Sequence, residues 1–193
     1  MKLRGLYAIT PEAPDLIDKV RRALDGGIAL LQYRRKQVDL HEAREVAALA
    51  RRYEVPLIVN DHVELALEID AQGAHLGGDD GDLRAAQRRL AGRLLGASCY
   101  NDAELARRAV SAGADYVAFG SVFASPTKPS AVRAPLALFS LELEVPLCAI
   151  GGITLDNGPQ VIAAGADLLA VISDLFDAPD IAARAAEYRK LFA

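Results

Sequence analysis

The sequence predicts an α/β fold: a single (β/α)8 TIM barrel of parallel strands, somewhat trimmed, in which residues 1–193 form one domain. Three observations lead there. Eight short apolar runs recur along the chain. Most stretches between them repeat their apolar residues with helical spacing. No linker, low-complexity tract or shift of composition divides the whole. Strands buried on both faces read as nearly continuous apolar runs, as in parallel sheets covered by helices. Eight of them in 193 residues, against roughly 200–250 for the usual barrel, favour a closed barrel over an open doubly wound sheet. A count of strands leaves closure itself to the tertiary structure.

The first run is Leu6-Tyr7-Ala8-Ile9, and the second is Ala29-Leu30-Leu31-Gln32-Tyr33. Helical spacing over 40–53 places Leu40, Ala43, Val46, Ala47 and Ala50 on one face. Pro56-Leu57-Ile58-Val59-Asn60 is the third run, and the connection over Val63–Ala71 has room for a short helix only. Ala74-His75-Leu76 and Leu94-Leu95-Gly96-Ala97 are the fourth and fifth. In 101–112, Leu105, Ala109 and Ala112 mark a buried face, with Glu104, Arg107 and Arg108 turned away. Tyr116-Val117-Ala118-Phe119 is the sixth run, and again a short helix is all that fits after it. Leu147-Cys148-Ala149-Ile150 and Leu168-Leu169-Ala170-Val171-Ile172 complete the set. A last helix over 180–193 buries Ile181, Ala185, Tyr188 and Phe192.

Glycine punctuates the helix ends, in Asp25-Gly26-Gly27, Ser111-Ala112-Gly113-Ala114-Asp115 and Ala163-Ala164-Gly165-Ala166-Asp167. It tolerates the left-handed backbone that closes a helix. The two Ala-Gly-Ala-Asp units, each leading into a strand, hint at an internal βα repeat. The arginine pairs at 21–22, 51–52, 88–89 and 107–108 read as solvated helix faces.

The net charge of −4 argues against nucleic acid or an anionic membrane as partner, since phosphate backbones require excess basic charge. No apolar run approaches the 18 or so residues of a membrane span. The N-terminus has no signal-peptide pattern, so a cytoplasmic protein is expected. Cys99 and Cys148 lack metal-type spacing and read as small buried residues. Walker A, dinucleotide-glycine, Cys-x-x-Cys and Gly-x-Ser-x-Gly motifs are missing, which removes support for nucleotide hydrolysis, nicotinamide chemistry and serine hydrolysis.

A parallel barrel carries its active site where the strands end. Gln32, Arg34 and Lys36 come with the second strand, period two putting Gln32 and Arg34 on one side and Lys36 in line. Asn60-Asp61 end the third, Gly77-Gly78-Asp79-Asp80 follow the fourth, and Ser98 ends the fifth. The loop over Gly120–Arg133, with Lys128, follows the sixth. Gly151-Gly152 follow the seventh and Ser173 the eighth. Cations at 34, 36 and 128 beside carboxylates at 61 and 80 suit a polyphosphate bridged by Mg2+, which takes one or two carboxylates plus substrate oxygens. Gly151-Gly152 and Ser173 form a second expected phosphate site. Two such sites imply small-molecule substrates, either two phosphorylated ones or one phosphorylated at both ends. His41 is expected at the surface. His62, His75 and Tyr100 are left open between structural and functional roles.

Together these stretches resemble the thiamine-phosphate synthase family over nearly the whole chain. The matching runs are Leu6–Thr10, Gln32–Lys36, Asn60–His62, Gly73–Gly77, Gly96–Ser98, Phe119–Pro129 and Ala149–Thr154, the most specific being Gly113–Lys128. The resemblance implies that 4-amino-2-methyl-5-hydroxymethylpyrimidine diphosphate loses pyrophosphate, and that the thiazole phosphate nitrogen attacks the resulting cation to give thiamine phosphate. It implies that Gln32, Arg34, Lys36, Asn60, Ser98 and Lys128 hold the diphosphate substrate, with Arg34, Lys36, Ser98 and Lys128 acting in catalysis. Asp61 and Asp80 are implied as Mg2+ ligands, and Ser125, Pro126, Thr127, Gly152, Ile172 and Ser173 as the thiazole phosphate site. The loop around 120–133 is expected to act as a lid.

The chain departs from the family pattern at Gly78, where glutamine is frequent, and at Arg35, where an acidic or polar residue is common. The stretch around Pro14-Asp15-Leu16 looks trimmed. The alternatives are a thiazole tautomerase of the same fold, or a barrel that binds thiazole or thiamine phosphate without catalysis.

Overall fold

The computed structural model describes residues 3–78, 81–124 and 132–193. Its strands are β1 (Gly5–Ile9), β2 (Leu30–Tyr33), β3 (Leu57–Asn60), β4 (Gly73–Leu76), β5 (Leu94–Tyr100), β6 (Tyr116–Phe119), β7 (Leu147–Ile150) and β8 (Leu168–Val171). They close in sequence order into one barrel, β8 pairing back onto β1, with every pairing parallel. Helices α1 (Leu16–Gly26), α2 (Leu40–Arg52), α3 (Val63–Glu68), α4 (Leu83–Leu90), α5 (Ala103–Ser111), α6 (Gly158–Ala163), α7 (Ser173–Phe176) and α8 (Ile181–Lys190) connect them. Among the described residues, the link from β6 to β7 carries a 3-10 turn over Leu136–Ser140 and no α-helix, and α3 has six residues. Both short connections match expectation.

Alternation divides the core in two. Leu6, Ala8, Leu31, Tyr33, Leu57, Val59, Val117, Phe119, Leu169 and Val171 face outward and pack under the helices. Tyr7, Ile9, Leu30, Ile58, Tyr116, Ala118, Cys148, Leu168 and Ala170 point inward and fill the barrel. Because successive strand residues face opposite sides, this second set fixes which residues can reach the mouth from within.

The Gly-Ala-Asp repeat has a structural duty. Asp115 accepts the Leu95 N–H at 2.8 Å through its carboxylate and donates its own N–H to Leu95 O. Asp167 does the same with Leu147, at 3.1 Å for the carboxylate. Each aspartate at the foot of one strand therefore holds the start of the preceding one. Helix starts are fixed likewise: Asp39, Asp82, Asp102 and Asp180 accept first-turn N–H groups, satisfying donors with no partner inside the helix.

The eight paired arginines are exposed on helices, as expected. Cys99 and Cys148 are buried and not joined to each other. Burial pushes the Cys99 thiol up to about 12 and raises the Cys148 thiol too, so neither is poised as a nucleophile.

Two expected boundaries move. The fifth strand runs on to Tyr100, so Ser98 lies inside it, just before a register shift between Ser98 and Tyr100. The second strand stops at Tyr33, so no strand carries the period-two line through Arg34 to Lys36. Arg34 is tied beyond the strand end, its N–H donating to Thr10 Oγ1 at 2.8 Å and its carbonyl accepting from that hydroxyl at 3.0 Å. Among the described residues no helix is long and apolar enough to cross a membrane.

Candidate active site

All eight strands run the same way, so their C-terminal ends share one rim. Gln32, Arg34, Asn60, Asp61, Ser98, Gly152, Ile172 and Ser173 all belong to that rim. Asp80, Ser125, Pro126, Thr127 and Lys128 lie outside the described residues.

Gln32 closes β2 on its inner face. It is buried, and its Nε2 donates to Tyr7 Oη at 2.7 Å. Lys36 is exposed, its backbone N–H held by Glu12 Oε1 at 2.8 Å. Between the two cations, Arg35 turns away from the mouth. Its guanidinium donates to both carboxylate oxygens of Glu42 and to the carbonyls of Pro11 and Ala13. Tyr33 Oη donates to the same Glu42 carboxylate at 3.0 Å. The short loop between β1 and α1 is thereby fastened to the start of α2. This role for Arg35 was not legible in the sequence, where its only signal was departure from the family pattern.

Asp61 follows β3 with a left-handed backbone, φ +62°. Its N–H donates to His75 O on β4 at 2.9 Å, and Asn60 Nδ2 donates to its Oδ2 at 2.5 Å. Among the described residues no three His, Cys, Asp or Glu side chains gather around a common point. Mg2+ asks for less, being content with one or two carboxylates and substrate oxygens. The exposed Asp61 carboxylate fits that donor set as one member.

Ser98 is half-buried, and its Oγ lies 2.9 Å from His75 Nε2. His75 is buried within β4 and its Nδ1 lies 3.0 Å from Tyr116 Oη. His41 is at the surface, and the exposed His62 precedes α3. Tyr100, with φ +52°, accepts the Gly78 N–H at 3.0 Å and so holds the loop after β4.

Where a second phosphate site was expected, both glycines have a left-handed backbone. Gly151 and Gly152 have φ of +101° and +64°, a region open to glycine at little cost. A Cβ on Gly152 would stand 2.3 Å from Ala124 O. Asn157 Nδ2 donates to Gly152 O at 2.9 Å and steadies the turn. The loop after β6 is fastened beside it, Phe123 N–H donating to Gly151 O at 2.9 Å. Ser173 opens α7, a short extra helix of the kind that binds phosphate after the last strands of such barrels. Asp174 on α7 accepts from Arg184 at 2.8 Å and from Tyr188 Oη at 2.7 Å, and Lys19 donates to Phe176 O. Helices α8 and α1 thus set the position of α7.

The sequence profile of the thiamine monophosphate synthase family matches residues 6–175. The thiamine-phosphate synthase of Aromatoleum aromaticum is 63% identical over 202 aligned positions, covering 99% of this chain and 97% of that protein. That alignment is longer than the 193 residues here, so the relative carries residues this chain lacks. The thiamine-phosphate synthase of Methylobacillus flagellatus is 52% identical, over 98% of this chain and 96% of its own. Among solved structures, the thiamine phosphate pyrophosphorylase from Pyrococcus furiosus superposes with a TM-score of 0.87 at 33% identity, covering 99% of this chain and 96% of that one. A 3-hexulose-6-phosphate synthase shares the fold alone, with a TM-score of 0.74 at 15% identity over 98% of this chain and 100% of that one.

Proposed function

This chain belongs to the thiamine monophosphate synthase family, as a transferase of thiamine biosynthesis, and from that premise we propose how its rim performs the reaction. The pyrimidine diphosphate and the thiazole phosphate sit side by side over the strand ends. The bond between the pyrimidine methylene carbon and the diphosphate oxygen breaks, its electron pair leaving with pyrophosphate. The thiazole nitrogen then donates its pair to that carbon, giving thiamine phosphate.

The chain's task is to receive the leaving charge and hold the two rings in line. Arg34, Lys36 and Lys128 offset the negative charge of the diphosphate. Gln32, Asn60 and Ser98 hydrogen-bond the same substrate. Asp61 and Asp80 would hold Mg2+, which when bound screens the diphosphate and makes it a better leaving group. Gly152 and Ser173, with Ile172, Ser125, Pro126 and Thr127, receive the thiazole phosphate. The observation that supports this reading is the placement on one rim of cations and Asp61 after β2 and β3, and of left-handed glycines with a short helix after β7 and β8.

The test mixes both substrates with and without Mg2+ and follows pyrophosphate and thiamine phosphate. Both products are expected together, and only with the metal. Thiazole isomerisation alone would instead identify a tautomerase, and binding without turnover a silent barrel. Asp61→Ala is expected to reduce turnover sharply while leaving thiazole phosphate affinity nearly unchanged. Wild-type rates in that variant remove Asp61 from the metal site. A cytoplasmic location accords with the substrates proposed.

A further inference from the structure

Five polar side chains from five strands meet inside the barrel. Gln32 Nε2 is 2.7 Å from Tyr7 Oη, which is 2.7 Å from Tyr116 Oη. Tyr116 Oη is 3.0 Å from His75 Nδ1, and His75 Nε2 is 2.9 Å from Ser98 Oγ. Gln32, Tyr7, Tyr116 and His75 are buried, whereas Ser98 is partly open. Ser98 borders a cleft of about 510 Å3 that reaches the rim between α4 and α5. The two ends of the chain are the residues proposed above to touch the pyrimidine diphosphate, and the three middle members have had no role so far.

The chemistry of the groups gives the chain a direction. An amide nitrogen only donates, so Gln32 gives its proton to Tyr7. A hydroxyl has one proton, and leaving it unused in a buried site costs the desolvation of that donor. Tyr7 therefore donates to Tyr116, and Tyr116 to His75 Nδ1. A ring nitrogen that accepts carries no proton, so the neutral imidazole keeps its hydrogen on Nε2 and donates to Ser98 Oγ. Four bonds use four protons, and the Ser98 hydroxyl proton is left over for the rim.

The sequence makes room for this arrangement at one position. Residues His75, Gly96 and Tyr116 stand side by side across β4, β5 and β6. Gly96 has no side chain, so the two rings meet over it with centroids 5.5 Å apart. A Cβ there would lie 2.2 Å from Tyr116 Cζ and 2.5 Å from His75 Nδ1.

We propose that Gln32, Tyr7, Tyr116 and His75 form a one-way hydrogen-bond chain that holds His75 as its Nε2–H tautomer and turns the Ser98 hydroxyl into a donor toward an anionic oxygen of the departing diphosphate. Tyr7, Tyr116 and His75 are positioning residues, since they act through Ser98. The substrate end of this inference rests on the synthase reading, while the direction of the chain does not.

Two measurements test it. The first is 15N NMR of the histidine rings in the wild-type protein, assigned with His41→Gln and His62→Gln. His75 is expected to show a protonated Nε2 and an accepting Nδ1. In Tyr116→Phe, or in Tyr7→Phe should the former not fold, the preference for that tautomer should weaken. A protonated Nδ1 in the wild-type protein overturns the direction of the chain.

The second is a double-mutant cycle on turnover. Ser98→Ala and Tyr116→Phe should each lower kcat, by roughly five- to tenfold for one lost hydrogen bond, with KM for thiazole phosphate unchanged. The double variant should match Ser98→Ala alone. Independent, multiplicative losses mean that Tyr116 serves only packing, and they overturn the positioning role. A wild-type protein that forms no thiamine phosphate overturns the synthase reading and the substrate end together. Turnover with His75 in the other tautomer overturns the chain alone.

Discussion

At Gly96 the missing side chain matters more than backbone freedom. Alanine there must push aside two ring systems in a packed interior, and overpacking of this kind costs about 1–3 kcal/mol. Gly96→Ala is expected to lose that much stability in chemical denaturation and to lower turnover, because the His75–Tyr116 bond spans the site of the new methyl. Unchanged stability with full activity would show that the ring contact is dispensable. The sequence offered Gly96 within the fifth apolar run and within a family match, neither of which says why glycine stands there. Its physical reason lies in two residues that are 41 positions apart in the chain.

Among elements, the loop between β1 and α1 depends most visibly on one side chain outside it. Six residues, 10–15, cover the step from Ile9 to Leu16, and Arg35 grips two of their carbonyls while neutralising Glu42. Its side chain is only 10% exposed, so the pair is screened little by water. Arg35→Gln leaves the Glu42 carboxylate short of its main partner and is expected to cost roughly 2–3 kcal/mol. It should also raise KM for the pyrimidine diphosphate severalfold, since Arg34 and Lys36 flank the lost anchor. Thermal unfolding and steady-state kinetics read the two effects separately, and a variant with wild-type values for both would make the network incidental. That little loop is left here was visible in the sequence. Its compensation by Arg35 was not, because one residue's departure from a pattern does not tell where its side chain goes.

For the molecule as a whole, alkali is the revealing perturbation. Burial raises the phenols of Tyr7, Tyr116 and Tyr188, and burial with the Glu42 carboxylate pushes Tyr33 up to about 12. An unfolded tyrosine ionises near 10. A folded value above the unfolded one means that these groups contribute stability in full below about pH 10, and that it is lost as pH rises through the folded values. Denaturation midpoints are therefore expected to hold to about pH 10 and then fall, with the buried phenolates appearing only as the barrel opens. Reversible ionisation of Tyr7 and Tyr116 near pH 10 in the folded protein would contradict their burial. The prediction belongs to the barrel because Tyr7 and Tyr116 lie on strands that meet only across its interior.

Sequence alone determined the order of strands and helices, the rim as the place for polar residues, and the family. Those follow from local rules: apolar runs of strand length, helical spacing between them, glycine at helix ends, and polar residues where the apolar runs stop. Tertiary structure decided that the sheet closes, that β2 releases Arg34 and Lys36 early, that β5 continues past Ser98, and that Tyr7, His75 and Tyr116 join Gln32 to Ser98. Ring closure sets distances across the barrel, and a cross-barrel distance depends on all eight strands at once, so no window of sequence contains it.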